Sequence, residues 1–168
     1  QTNIKAVERL YSEALALIPD PDAKIVYDLY CGTGTISQLM ASKAKKVYGI
    51  EIVQDSIDAA IDNAKMNGID NCHFICGDVK AKLDEVTEKP DMIVVDPPRM
   101  GMHDKVVEML ASYGIEQILY ISCNPNTMAM NLEKFAELGY KPRVIKAYDN
   151  FAKTKHVESV TLLSRTTL

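Results

Sequence analysis

The chain has 168 residues, 47% hydrophobic and 25% charged, with 19 Lys and Arg against 23 Asp and Glu for a net charge of −4. This composition fits one globular domain with its own core and excludes a disordered tail, a collagen and a coiled coil. A mildly acidic balance argues against holding nucleic acid by bulk charge alone, and no apolar run approaches the roughly 20 residues of a membrane helix.

Ile4, Val7, Tyr11, Ala14, Leu15 and Ile18 recur at helical spacing and predict a first amphipathic helix, closed by Pro19 and Pro21. A strand follows over Ile25–Leu29, a helix over Ile36–Ala44 and a second strand over Val47–Ile50. Val53, Ile57, Ala60, Ile61 and Ala64 predict the next helix, stopped at Asn67-Gly68 by a left-handed residue. Strands are then expected over His73–Cys76, Met92–Val95 and Ile118–Ile121, with helices over Lys80–Val86, Asp104–Ala111 and Thr127–Leu138. After Gly139 the alternation stops, and Arg143–Tyr148 and Val157–Leu163 read as two strands in succession. The pattern is that of an α/β fold whose parallel sheet ends in an antiparallel pair.

The four cysteines, Cys31, Cys72, Cys76 and Cys123, form no CxxC pair and no Cys–His cluster, so no metal site and no disulfide framework is expected. Reduced thiols without a basic-then-apolar leader predict a cytoplasmic protein. A first residue of Gln rather than Met predicts a piece of a longer chain.

In a sheet of this kind ligands bind outside the carboxyl ends of the strands. Asp28–Thr35, Glu51, Asp78, Asp96–Arg99 and Ser122–Pro125 all fall at such ends. Gly32 and Gly34 let the backbone approach a ligand closely, but a dinucleotide site wants a third glycine where Ser37 stands. Asp28 would repel a pyrophosphate and suits an α-amino group, while Glu51 suits the two hydroxyls of a ribose. Adenosine joined to a zwitterionic amino acid without phosphate is S-adenosylmethionine. Asp78 is placed either to meet the adenine or to cap the helix that follows.

Asp96-Pro97-Pro98-Arg99 follows a wholly apolar strand, and its prolines present side chain and carbonyls rigidly to a planar ring. An aromatic residue in place of Arg99 would suit methylation of an exocyclic nitrogen; its absence disfavours that chemistry. Cys123, in Ser122-Cys123-Asn124-Pro125, leaves a strand just before a helix whose first turn starts near Pro125, where partial positive charge favours a thiolate. In His156-Val157-Glu158-Ser159-Val160, alternation puts Glu158 on a face with Val160 and Leu162, where desolvation raises a carboxyl toward the range of a general base.

Together these motifs resemble the RNA uracil-5 methyltransferases, the family that makes 5-methyluridine in transfer and ribosomal RNA. The likeness runs through nearly the whole chain, and Ser-Cys-Asn-Pro followed by His-Val-Glu is its most specific part. It implies a Rossmann-like class I methyltransferase with a mostly parallel seven-stranded sheet. Cys123 would be the nucleophile and Glu158 the base. Gln1, at the end of what resembles a Phe-x-Gln-x-Asn segment, would join Tyr30, Glu51 and Asp96 in lining the site for cofactor and uracil. Arg99 and Asn124 are placed to meet the substrate, with Arg99 or a backbone amide steadying the enolate at oxygen 4.

The family's RNA-binding β-barrel and its central domain, in some members with an iron–sulfur cluster, lie outside these 168 residues. One departure is Asp149-Asn150-Phe151-Ala152, where the family often has Asp-x-Phe-Pro. The basic residues Lys141, Arg143, Lys146, Lys153 and Lys155, against the single acid Asp149, form either a solvated face or a guide for RNA phosphates. A cytosine-5 RNA methyltransferase, whose cysteine usually follows a proline, and a cofactor-binding RNA adaptor are the alternatives.

Overall fold

The computed structural model describes residues 4–18, 25–150, 154 and 156–166. Its contacts sort the chain into two compact units, Ile18–Asp96 and the combination of Gln1–Leu17 with Pro97–Leu168, where the sequence predicts one domain. The boundary falls inside the Asp96-Pro97 bond of the Asp-Pro-Pro-Arg motif.

In the Ile18–Asp96 unit four parallel strands run in the order β3-β2-β1-β4: β1 (Ile25–Leu29), β2 (Lys46–Glu51), β3 (Cys72–Cys76) and β4 (Met92–Val95). All four residues of β4 are buried, in keeping with its wholly apolar sequence. Register aligns the carboxyl ends: Leu29 pairs with Ile50 and with Val95, and Glu51 pairs with Cys76. Tyr30, Glu51, Gly77 and Asp96 therefore emerge side by side along one edge of this sheet.

The helices α2 (Thr35–Ala41), α3 (Gln54–Met66) and α4 (Val79–Leu83) connect these strands. α3 buries Ile57, Ala60 and Ala64 and stops as expected, with Gly68 at φ +66°. α2 ends three residues earlier than its sequence pattern predicts. The Ser42 hydroxyl takes the Leu39 carbonyl, and the Asn71 amide takes the carbonyls of Ala41 and Ala44, so the chain is pulled out of the helix toward β2.

The other unit holds α1 (Ile4–Ala16), α5 (Asp104–Ser112), β5 (Gln117–Ser122), α6 (Pro125–Glu137), β6 (Tyr140–Tyr148) and β7 (Glu158–Arg165). The strand order is β5-β7-β6, and both pairings are antiparallel, the expected C-terminal departure from the parallel rule. β6 starts three residues before its predicted position and carries an irregularity between Pro142 and Val144. Proline donates no ladder hydrogen bond, so a bulge at an edge strand accommodates it. In the core of this unit the Asn131 side chain makes three hydrogen bonds: it accepts from the Met102 amide and the Tyr120 hydroxyl and donates to the Met102 carbonyl. That network fixes the loop after Arg99 to α6. Among the described residues no helix is long and apolar enough to cross a membrane.

Candidate active site

One cluster of candidate residues lies along the edge of the Ile18–Asp96 unit. The turn after β1 holds Tyr30 at φ +66°, Gly32 at +51° and Gly34 at +78°. A non-glycine residue in that region is strained, and such strain concentrates at functional sites. The two glycines differ in what they do. A Cβ on Gly32 would meet nothing within 4 Å, whereas one on Gly34 would lie 2.9 Å from both Ala60 and the Phe74 ring. Gly34 is thus a packing requirement, and Gly32 alone keeps the surface of the turn open, a finer division than the sequence expects. Gly49, which sequence reasoning passed over, has the same kind of role: a Cβ there would sit 2.7 Å from Phe74.

Glu51 is held by two backbone amides, Gly32 N to Oε2 at 3.2 Å and Val53 N to Oε1 at 3.0 Å. Its carboxylate is therefore fixed beside the open turn. Tyr30 is half-buried, and its hydroxyl is pushed up by burial and then by the Asp78 charge. Asp78 caps α4, accepting from the Ala81 amide at 3.2 Å, and remains exposed. Asp96 is half-buried at the end of β4.

Asp28 lies beneath the turn, completely buried. Its Oδ2 accepts the Ser37 hydroxyl at 2.5 Å, and Oδ1 has no partner among the described residues. Ser37, read from sequence only as a missing glycine, is therefore the residue that holds this acid. Burial is the main cause that lifts the Asp28 carboxyl from 3.8 to about 7, with Asp96 adding to it and Ser37 opposing it. A folded-state pKa above the unfolded value means stability that is fully present below about pH 4 and is lost as pH rises to about 7. Asp28→Asn is expected to remove that slope and, in ligand-free protein above pH 7, to recover up to about 4 kcal/mol. Urea denaturation of both proteins at pH 5 and pH 8 measures it; parallel losses in the two would refute it.

A second cluster of candidate residues lies in the other unit. Ser122, the last residue of β5, pairs with Ser159 of β7 as the last pair of that ladder. Tyr148 of β6 pairs with Glu158. Nucleophile and base candidates thus flank one pair, Cys123 following Ser122 and Glu158 preceding Ser159. Cys123 is partly exposed and immediately precedes Asn124, the N-cap of α6, with Pro125 in the first turn. The Asn124 amide has two structural tasks: Oδ1 accepts from the Asn126 amide at 3.2 Å and Nδ2 donates to the Arg99 carbonyl at 2.9 Å. Its expected contact with substrate is therefore accompanied by a capping role that sequence reasoning had not assigned.

Glu158 is half-buried at the start of β7. Burial raises its carboxyl, as alternation predicts, and the Arg99 guanidinium pulls the other way. Arg99 is exposed, with Nη2 2.8 Å from His156 Nδ1. Cys31 and Cys72 lie in the Ile18–Asp96 unit. Burial pushes both thiols up, Cys72 to about 12, which makes them poor sources of thiolate.

Of the basic stretch, Lys141 and Arg143 are exposed, while Lys146 is committed to Glu13 at 2.7 Å. Glu13 also binds Arg9 and the Tyr148 hydroxyl, and these three partners hold its carboxyl down at about 2. Lys153 and Lys155, like Gln1, lie outside the described residues.

The fold is the one that class I methyltransferases have. Over 95% of its length the chain superposes on 38% of the tRNA (uracil-54, C5)-methyltransferase of Pyrococcus abyssi, a structure in complex with S-adenosyl-L-homocysteine, with a TM-score of 0.79 and 32% identity. A ribosomal protein L11 methylase from Lactobacillus delbrueckii subsp. bulgaricus shares the fold, at TM-score 0.76 and 19% identity over 98% of this chain and 81% of that one. Residues 1–166 match the tRNA (uracil-5-)-methyltransferase family, and the chain belongs to that family. An uncharacterized RNA methyltransferase of Caldanaerobacter subterraneus subsp. tengcongensis is 47% identical over 98% of this chain, and one of Clostridium tetani 46% identical over the same share. The chain spans 37% and 36% of the length of these two relatives.

Proposed function

We propose that this chain is the catalytic part of an enzyme that methylates carbon 5 of a uridine in RNA, with S-adenosylmethionine as donor. The observation that carries the proposal is the Ser122–Ser159 pair, which Cys123 follows on one strand and Glu158 precedes on the other. The turn of the other unit fits the donor: open space over Gly32, a Glu51 carboxylate oriented for ribose hydroxyls, and the unpartnered Asp28 Oδ1 beneath it. Tyr30, Asp78 and Asp96 border the same edge. When bound, S-adenosylmethionine supplies an electrophilic methyl group on a sulfonium.

Carbon 5 of uracil is a poor nucleophile. Addition of the Cys123 thiolate to carbon 6 makes the ring an enolate and carbon 5 electron-rich. After carbon 5 carries the methyl group, Glu158 takes the remaining proton from it, and elimination of the thiol restores the ring. The target base must leave its stack to be reached, which costs least in loops and single strands. The acidic chain alone is poorly charged for RNA, so we assign much of the RNA contact to the length that its relatives have beyond it. The four cysteines, none disulfide-bonded, suit a reducing cytoplasm.

The test supplies the protein with methyl-labelled donor and unmodified ribosomal or transfer RNA, then analyses the digested nucleosides. Labelled 5-methyluridine is the expected product, and the RNA that yields it identifies the substrate. Labelled 5-methylcytidine would replace this reading with the cytosine-5 alternative. Donor binding without any labelled nucleoside would replace it with an RNA adaptor.

A further inference from the structure

We propose that His156 is a positioning residue: its Nδ1 seats the Arg99 guanidinium and so ties the segment that carries Glu158, the base of the reaction proposed above, to the segment that carries Cys123. Arginine carries donors only and stays protonated, so at 2.8 Å from Nη2 the His156 Nδ1 is the acceptor. That contact requires the imidazole proton to sit on Nε2. His156 stands two residues before Glu158, on the segment that leads into β7.

The other end of Arg99 is fixed as well. Its backbone carbonyl accepts from Asn124 Nδ2 at 2.9 Å and from Thr127 Oγ1 at 3.2 Å, both in the first turn of α6 next to Cys123. Arg99 therefore links the segment of the nucleophile to the segment of the base. The guanidinium itself is exposed, and a free arginine side chain would spread over many rotamers in water. The imidazole removes that freedom. It leaves the charge where Glu158 feels it, as the opposing effect of Arg99 on the carboxyl requires. The role differs from enolate stabilisation by Arg99, because the contact made here is with the machinery and not with the ring.

The inference rests on the functional reading above, and the experiment separates the two. Asn places its Oδ1 where the Nδ1 of histidine stands, whereas Ala leaves no acceptor. His156→Ala is expected to lower kcat about tenfold with KM for RNA unchanged within about twofold, and to build up covalent protein–RNA adduct during turnover. His156→Asn is expected to restore kcat to within about twofold of the parent. Nitrogen NMR of the imidazole in the unaltered chain should show the Nε2–H tautomer. Parental turnover in His156→Ala, no rescue by Asn, a change confined to KM, or an Nδ1–H tautomer would each overturn the proposal. If the unaltered chain methylates no uridine, the functional reading fails, and an Nδ1–H tautomer by itself still refutes the Arg99 seat. Thermal midpoints of the variants, matched to the parent, exclude misfolding as the cause.

Discussion

Cys123→Ala is expected to yield a folded chain that forms no covalent adduct with RNA and methylates uridine at least ~10⁴-fold more slowly than the parent. The size of the effect follows from the ring: without a nucleophile on carbon 6, carbon 5 never becomes electron-rich. No other thiol is placed to substitute. Cys31 is buried beneath the turn after β1, Cys72 is held with its thiol pushed up to about 12, and the Cys76 thiol is directed at the Ile52 carbonyl. The variant keeps Asn124 as the N-cap of α6 and Pro125 in its first turn, so the helix start survives. Its thermal midpoint should move by no more than a few degrees, the consequence of about 1 kcal/mol or less. RNA containing 5-fluorouridine provides the measurement, because fluorine at carbon 5 cannot leave as a proton and the adduct persists on a denaturing gel. A persistent adduct in Cys123→Ala would transfer the role to another nucleophile.

Strands were legible in this sequence because each is a short apolar run bounded by turn residues, and Met92–Val95 and Ile118–Ile121 are indeed buried along their whole lengths. The ends of elements were less legible, since distant residues set them. Asn71 stops α2 from 27 and 30 positions away, and Arg165 extends β6 back to Tyr140. The strand-end rule alone put Glu51, Asp78 and Asp96 along one sheet edge, where the register has them. Side-chain orientation it could not give. Asp28 turns inward to Ser37, the Asn124 amide is spent on α6 and Arg99, and Gly34 serves packing against Phe74. Each of these depends on which way a side chain points, and periodicity carries no such information. His156 shows the same limit. It is conspicuous beside Glu158 in the sequence, but its partner lies 57 residues away.

Glu158→Gln should separate the two halves of the reaction. The amide matches the carboxyl in shape but takes no proton, so addition of Cys123 and methylation of carbon 5 proceed while release fails. Methylated RNA joined to protein is expected to accumulate on a denaturing gel with ordinary RNA, and turnover to fall by about 10²–10⁴-fold. The parent's rate should rise with pH through a limb lying above the usual carboxylate range, because burial lifts the Glu158 carboxyl further than Arg99 lowers it. The variant should lose that limb. The same burial has a consequence for stability. With its folded pKa above the unfolded one, Glu158 contributes stability fully below the ordinary carboxylate pKa, and this is lost as pH rises through the folded value. At neutral pH the half-buried charge therefore opposes folding, and Glu158→Gln should melt higher than the parent at pH 7.5, with the difference vanishing near pH 4. A variant that melts higher, traps methylated RNA and no longer turns over would tie the lost activity to the buried carboxylate itself, since general damage to the fold would lower the melting temperature. Unchanged turnover without a trapped adduct would place the proton acceptor elsewhere.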